Sequence, residues 1–266
     1  MFLSQILKLL LYFIVYSFFG WIIESVFKSI IQRKFVNSGF LYGPFCPIYG
    51  FGAIIMLLFL EPFKQNIILL FCVAFFVLSI WEYIVGCFLE KKFNTKYWDY
   101  TDNFLNIKGR VCLQNSIFWG ILGVVFVIFI HPFTARYIEG LNDQAVIYLD
   151  IILSSVLLID TSITIINMKS FDSTLEKIKE LGESIKAKIT ELKDVKEETP
   201  EKLKNMENKI EDLKRKQAIL KLKLYRHVNR LKKAFPTIKS DSITSFLSQK
   251  IDLKALKEKI KNKIDK

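Results

Sequence analysis

Three carboxylates sit where a charged group is expensive: Glu24 in WIIESVFK, Glu82 in SIWEYIVG and Asp160 in LLIDTSI each interrupt a long apolar run. At mid-bilayer an ionised side chain costs at least about 2.5–3.5 kcal/mol on insertion scales, so each needs a partner, a proton or a water-filled path. Amides join them at the head of another apolar run, where Gln114 and Asn115 follow Arg110. Such a set can attract a cation, pass a proton, or simply tie helices together through pairs such as Glu24 with Lys28 one turn on and Glu82 or Asp160 with Arg110. Acid–base catalysis by Glu24 and Glu82 with Asp99 and Asp102 is a further option. No nucleophile or metal-ligand cluster accompanies them, so an enzyme is not expected.

The elements that must position these groups are five apolar stretches, residues 6–31, 44–63, 66–89, 111–131 and 144–168. Each holds roughly 20 residues or more, enough for a helix to cross about 30 Å of hydrocarbon. The first lacks a small-residue cleavage site and carries Glu24, so it reads as a membrane helix and not a removable signal peptide. The second contains Pro44, Pro47, Gly50 and Gly52, which could break it into a re-entrant piece and a shorter helix. Lys28, Arg33, Lys34, Lys91, Lys92, Lys96, Lys108 and Arg110 fall on one side of this arrangement, Lys64 and Arg136 on the other. The positive-inside rule puts the first side in the cytoplasm, with the N-terminus outside. Glu24, Glu82 and Asp160 then share one layer on the order of 10 Å below the cytoplasmic surface, with Gln114 and Asn115 slightly shallower and Arg110 at its mouth. That layer is either a solvated vestibule or a set of structural ties. Asp150, Ser154, Thr161 and Thr164 form a polar stripe on the fifth stretch.

Beyond Phe171 the composition changes, with 26 Lys and Arg against 16 Asp and Glu, which is about ten of the twelve net positive charges. Ser173 to Glu176 has capping-box spacing, and Leu175, Ile178, Leu181, Ile185, Ile189 and Leu192 recur on one helical face. A second helix beginning at Thr199 and Pro200 carries Leu203, Met206, Ile210, Leu213, Gln217, Leu220, Leu224 and Leu231 at coiled-coil spacing and ends before Pro236. The two could fold back as a hairpin near residues 197–199 or pair with another subunit. Leu253, Leu256, Ile260 and Ile264 mark a last basic amphipathic segment. The expected division is therefore a membrane bundle over 1–170, a cytoplasmic coiled coil or helical hairpin over 171–235 and the basic segment over 236–266, an all-α chain throughout.

Basic sequence beside a membrane more often sets topology or meets anionic lipid than binds nucleic acid, and no nucleic-acid-binding motif occurs. Cys46, Cys72, Cys87 and Cys112 show no CxxC spacing, and only His131 and His227 are available, so neither a metal nor a cofactor is expected. No GxxxxGK[ST] is present, so any ATPase partner would be a separate polypeptide.

The polar loops carry distinctive residues: Gly39, Phe40, Leu41, Gly43, Pro44, Cys46, Pro47, Ile48, Tyr49, Gly50 and Gly52 in the first, and Trp98, Asp99, Tyr100, Phe104, Asn106, Gly109, Arg110, Cys112 and Leu113 in the second. The first loop could line a cavity with backbone oxygens or act as a stiff turn at the interface. Together with Tyr16, Ser17, Gly20, Trp21, Glu24, Trp81, Glu82, Tyr83, Leu89, Glu90, Trp119 and Gly120, these residues resemble the putative ABC-transporter type IV (CmpB-like) family of bacterial integral membrane proteins. A fainter echo lies at Arg230, Leu231, Ala234, Phe235 and Pro236, and the pattern departs at Ser38, where a basic residue would be expected, and at Tyr97 and Thr101. The resemblance implies a membrane-spanning transporter component of the bacterial inner membrane. Gly43, Pro44, Cys46, Pro47, Tyr49, Trp98, Asp99 and Tyr100 become its candidate cytoplasmic contacts. The alternative is a membrane-anchored scaffold or sensor presenting its coiled coil, with self-association through that coil.

Overall fold

The computed structural model describes residues 2–194 and 200–248; the expected turn near 197–199, the Thr199 cap and the segment bearing Leu253 to Ile264 lie outside them. All named elements are helical, and among the described residues there are no strands, only two isolated bridges. Two units can be distinguished, one of residues 1–165 with 231–239 and one of residues 166–230 with 240–266.

Among the described residues four helical stretches are long and apolar enough to cross a membrane: Ser4–Gln32, Ile67–Phe93, Leu113–Glu139 and Asp143–Lys193. Large side chains stand exposed along all of them, including Ile30, Ile68, Phe129 and Leu158 at 66–77 %, the surface expected of a lipid-facing bundle and not of a soluble one. The second expected span, 44–63, resolves differently. Residues 33–46 form a loop, and α2 (Pro47–Phe59) is a helix of 13 residues. At about 1.5 Å per residue it reaches roughly 20 Å, short of a full crossing. It runs antiparallel to α1 (Phe2–Gln32), starting where the Cys46 N–H donates to the Ser17 carbonyl at 2.8 Å and ending near Leu57 and Glu61, which share a cavity with Ser4 and Lys8. Loop and half-helix together carry the chain from one end of the bundle to the other. Pro47 occupies the first turn of α2, where its missing N–H is harmless.

Asn66 caps α3 (Ile67–Phe93) by accepting from the Leu69 N–H at 3.1 Å. The fourth span is α4 (Leu113–Val125), a π-helical turn over Phe126–Ile130, and α5 (His131–Glu139). Pro132, which lacks an N–H, follows the widened turn directly, and there the His131 N–H reaches back to Phe126. The sequence pattern had stopped this span at His131; the wide turn lets it continue to Glu139. One apolar core joins Leu11, Met56, Leu60, Leu70, Leu78, Phe126 and Val146, and a smaller one joins Ile14, Leu41, Phe45 and Leu157.

α6 (Asp143–Asp194) is one helix of 52 residues, so the capping-box spacing at Ser173 does not start a new element. Ser173 Oγ instead donates to the Ser170 carbonyl inside the helix. In the second unit the distal part of α6 packs antiparallel on α7 (Pro200–Ala234): Gln217 Nε2 donates to the Ile178 carbonyl at 2.9 Å, and the His227 ring lies 6.1 Å from that of Phe171. Of the periodic face expected from sequence, Leu175, Ile178, Ile185, Ile210 and Leu224 are buried in this unit, together with Phe171, Ala218 and Val228, which lie outside that pattern. Leu231 belongs with the first unit. A short helix, α8 (Asp241–Ser248), buries Ile243 and Phe246.

Candidate functional site

The site is assembled by close approach of α1 and α2. A Cβ on Gly20 would overlap the Tyr49 ring, and one on Gly50 would strike Ser17 and Phe13. Only glycine at both places lets the helices come near enough for Tyr49 to reach Glu24. Tyr49 then donates to Glu24 Oε1 at 2.7 Å, while Lys28 pairs with Glu24 Oε2 at 2.6 Å. Ser38 Oγ lies between them, accepting from Lys28 at 2.9 Å and donating to Glu24 at 3.4 Å. Ser38, standing where a basic residue was expected, thus meets a basic side chain in Lys28.

From Tyr49 the contacts continue without a break. Its ring lies 5.7 Å from that of Trp119, whose indole N–H donates to Glu82 Oε2 at 2.9 Å. Asn115 Nδ2 donates to Glu82 Oε1 at 3.1 Å and to the Tyr100 hydroxyl at 2.5 Å, and that hydroxyl is 3.4 Å from Glu82. Burial, reinforced by Glu82, pushes the Tyr100 phenol well above its ordinary range, so it is a donor at any physiological pH. Glu82 is only 4 % exposed, and both its oxygens are engaged. Lys28, Glu24, Ser38, Tyr49, Trp119, Glu82, Asn115 and Tyr100 therefore form one polar network, buried at Ser38 and Glu82 and partly buried elsewhere, that spans α1, the first loop, α2, α3, α4 and the second loop.

The other predicted members have different work. Asp160 accepts the backbone N–H groups of Tyr42 at 3.1 Å and Gly43 at 2.8 Å, fastening the first loop to α6. Arg110 does not neutralise Glu82 or Asp160; its guanidinium forks onto Glu90 at 2.7 and 3.0 Å and lies over the Tyr83 ring. Gln114 is exposed, one position round the helix from Asn115. Pro44 is exposed too, and Cys46 is buried.

A second cluster lies in the loop between α3 and α4. Asp99 takes Lys96 at 2.6 Å, Thr101 at 2.5 Å and Lys239, while its own N–H donates to Thr237 Oγ1 at 3.1 Å. Burial opposes its charge, but these donors, Lys239 and Lys96 foremost, hold the carboxyl well below the usual carboxylate range. Gly109, at φ +65°, leaves room beside Asp99 that a Cβ would fill. Lys96 and Lys239 exchange backbone hydrogen bonds at 2.8 and 2.9 Å, the Phe235 ring packs edge-on to Tyr97 at 5.1 Å, and Lys28 Nζ stands 5.2 Å from its centre. Trp98 fixes the loop by donating to the Arg110 carbonyl at 2.8 Å. Residues 231–239 are thus clamped on the loops beside the Glu24 pair. Trp119 and residues 231–236 stand out in the sequence only as part of the family pattern, and their partners are not legible there; an indole N–H inside an apolar helix, which needs an acceptor, is the available signal for the first.

Among known proteins, no curated sequence and no solved structure matches this chain. A family model described as putative ABC-transporter type IV matches residues 11–165, which takes in the whole Glu24–Glu82 network.

Proposed function

The chain belongs to the putative ABC-transporter type IV family, and from that premise we propose that it is the permease-like membrane component of an ABC-type transporter of the bacterial inner membrane. Family membership and the four apolar helices support a transport-related role in a membrane. In this reading the end bearing the two loops faces the cytoplasm, as its lysines and arginines suggest. Nucleotide hydrolysis belongs to a separate subunit, and this chain makes and breaks no covalent bonds itself.

The observation that carries the reading is the polar network from Lys28 to Tyr100. It joins α1, α2, α3 and α4 through the Lys28–Glu24 ion pair, side-chain hydrogen bonds and the Tyr49–Trp119 ring contact. Such bonds can be exchanged for equivalent ones without unfolding a helix, so the network is suited to act as a gate held shut in this conformation. The test is purification from native membranes in nanodiscs. A nucleotide-binding subunit that co-purifies, with ATP hydrolysis lost in Glu24→Gln and Glu82→Gln proteins that still fold, supports the permease. A chain that purifies alone, with no associated ATPase, sinks it.

The alternative, a membrane-anchored scaffold, is favoured by one feature: every oxygen of Glu24 and Glu82 is already engaged, as in a purely structural tie. The antiparallel pair of α6 and α7 would then be the working part, a coiled coil recruiting a partner or a second copy. Shortening that pair while keeping residues 231–239 separates the two. A scaffold loses all function, whereas a permease retains flux.

A further inference from the structure

Asp150, on α6, is 3 % exposed, yet neither of its carboxylate oxygens has a hydrogen-bond partner. The same is true of Ser154 Oγ, one turn further on. Asp143, Val146, Asp150, Leu153 and Leu157 follow helical spacing along one face of α6. Val146, Leu153 and Leu157 pack into the two apolar cores, so Asp150 is set among hydrocarbon. At this end of the bundle Lys8 is paired with Glu139 at 2.6 Å, Tyr12 with Glu139 at 3.2 Å, Glu61 with Lys64 at 2.5 Å, Tyr16 with His131 at 2.9 Å and Ser4 with Asp143 at 2.8 Å, while Arg136 is exposed. None of them serves Asp150 as a counter-ion. A carboxylate so placed is stable only when neutralised by something that is not a side chain of this protein.

A cavity of about 740 Å³ opens at this end of the bundle, with Ser4, Lys8, Tyr12, Glu61, Glu139 and Asp143 in its wall. Asp143 marks its rim on α6, and Asp150 lies two turns deeper on the same face, on the order of 10 Å below. Among the described residues no three His, Cys, Asp or Glu side chains gather as a metal site, so the donor set is too small for a transition metal. It suits a hard monovalent cation, which oxygens alone can hold. We propose that Asp150 and Ser154 Oγ form a binding site for a small monovalent cation, a proton or a sodium ion, entering through the cavity rimmed by Asp143. This does not depend on the permease reading, because the site is detected by binding and not by transport.

The full-length protein in nanodiscs, treated with dicyclohexylcarbodiimide across a pH series in sodium or choline chloride, provides the test. The reagent attacks protonated carboxyls in apolar surroundings, and mass spectrometry locates the adduct. Asp150 should be modified at low pH, with labelling falling about tenfold per pH unit beyond its midpoint. Additional protection by sodium over choline at fixed pH identifies the metal ion, and equal labelling in both identifies the proton. Asp150→Asn should fold, melt about 2–4 °C higher than the parent in choline chloride at alkaline pH, and lose the cation or pH dependence of its Tm. An Asp150 that stays unlabelled at every pH overturns the proposal. So does an Asp150→Asn protein that melts lower or fails to fold, because the carboxylate would then be serving a protein partner.

Discussion

Glu82 and Asp150 are buried to nearly the same extent, 4 % and 3 % exposed, in the same bundle, yet their surroundings are opposite. Glu82 is met by an indole, an amide and a phenol from two other elements, whereas Asp150 meets apolar packing and no donor. Burial alone therefore says nothing about what a membrane carboxylate is for. A saturated carboxylate is part of how the bundle holds together, and removing it strands its donors. An unsaturated one is a standing cost that the fold keeps, and removing it should relieve the structure.

The sharpest way to break the comparison is Glu82→Leu. Left without their acceptor, Trp119, Asn115 and Tyr100 should cost about 3–5 kcal/mol, read as loss of monodisperse protein in detergent; a variant as stable as the parent would show that Glu82 ties nothing. Lys28→Met comes next. It leaves Glu24 charged with only hydroxyl donors and should lower stability by about 2–4 kcal/mol in thermal melts, with Lys28→Arg retaining most of it. The second unit contains a buried ionisable group that titrates. Burial, aided by Arg230 and Lys223, lowers the His227 pKa to about 4. The unfolded chain therefore binds a proton that the folded one refuses, and helicity of the α6–α7 pair should be undiminished above about pH 6.5 and weaken by about 1–3 kcal/mol as pH falls toward 4. His227→Gln should flatten that slope. The smallest effect is expected at Asp99, whose depressed pKa contributes stability that is complete above about pH 4 and lost only in stronger acid. Asp99→Asn should free the 231–239 clamp and raise tryptic cleavage at Lys232 and Lys233 on the order of tenfold without changing the core of the bundle.

Class, span positions and the Glu24–Lys28 pair were legible in the sequence because they depend on composition and on spacing within one helix. Partners between helices were not. Arg110, at the mouth of the polar layer by residue counting, turns to Glu90 and not to Glu82, and Asp160, which shares a depth with Glu24 by residue counting, holds backbone N–H groups of the first loop. Gln114 and Asn115 are adjacent, and since successive residues diverge by about 100° round a helix only one of them could face Glu82. The capping-box spacing at Ser173 misled for a similar reason: a local motif starts a helix only where no helix is already running. Ser154 and Asp150 were visible as a polar stripe, but that they face no donor is a property of the packed bundle.

The half-length α2 depends on its neighbours for its place. Beside four helical stretches long enough to cross a membrane, it is an apolar helix of 13 residues. That segment is too short to be held by lipid, and its entry is secured by the Ser17 carbonyl and the Asp160 carboxylate. During synthesis it can settle only after α1 is in place, and its loop is fastened only once α6 has arrived. The short apolar helix is thus seated by two of the long ones, α1 at its start and α6 at its loop.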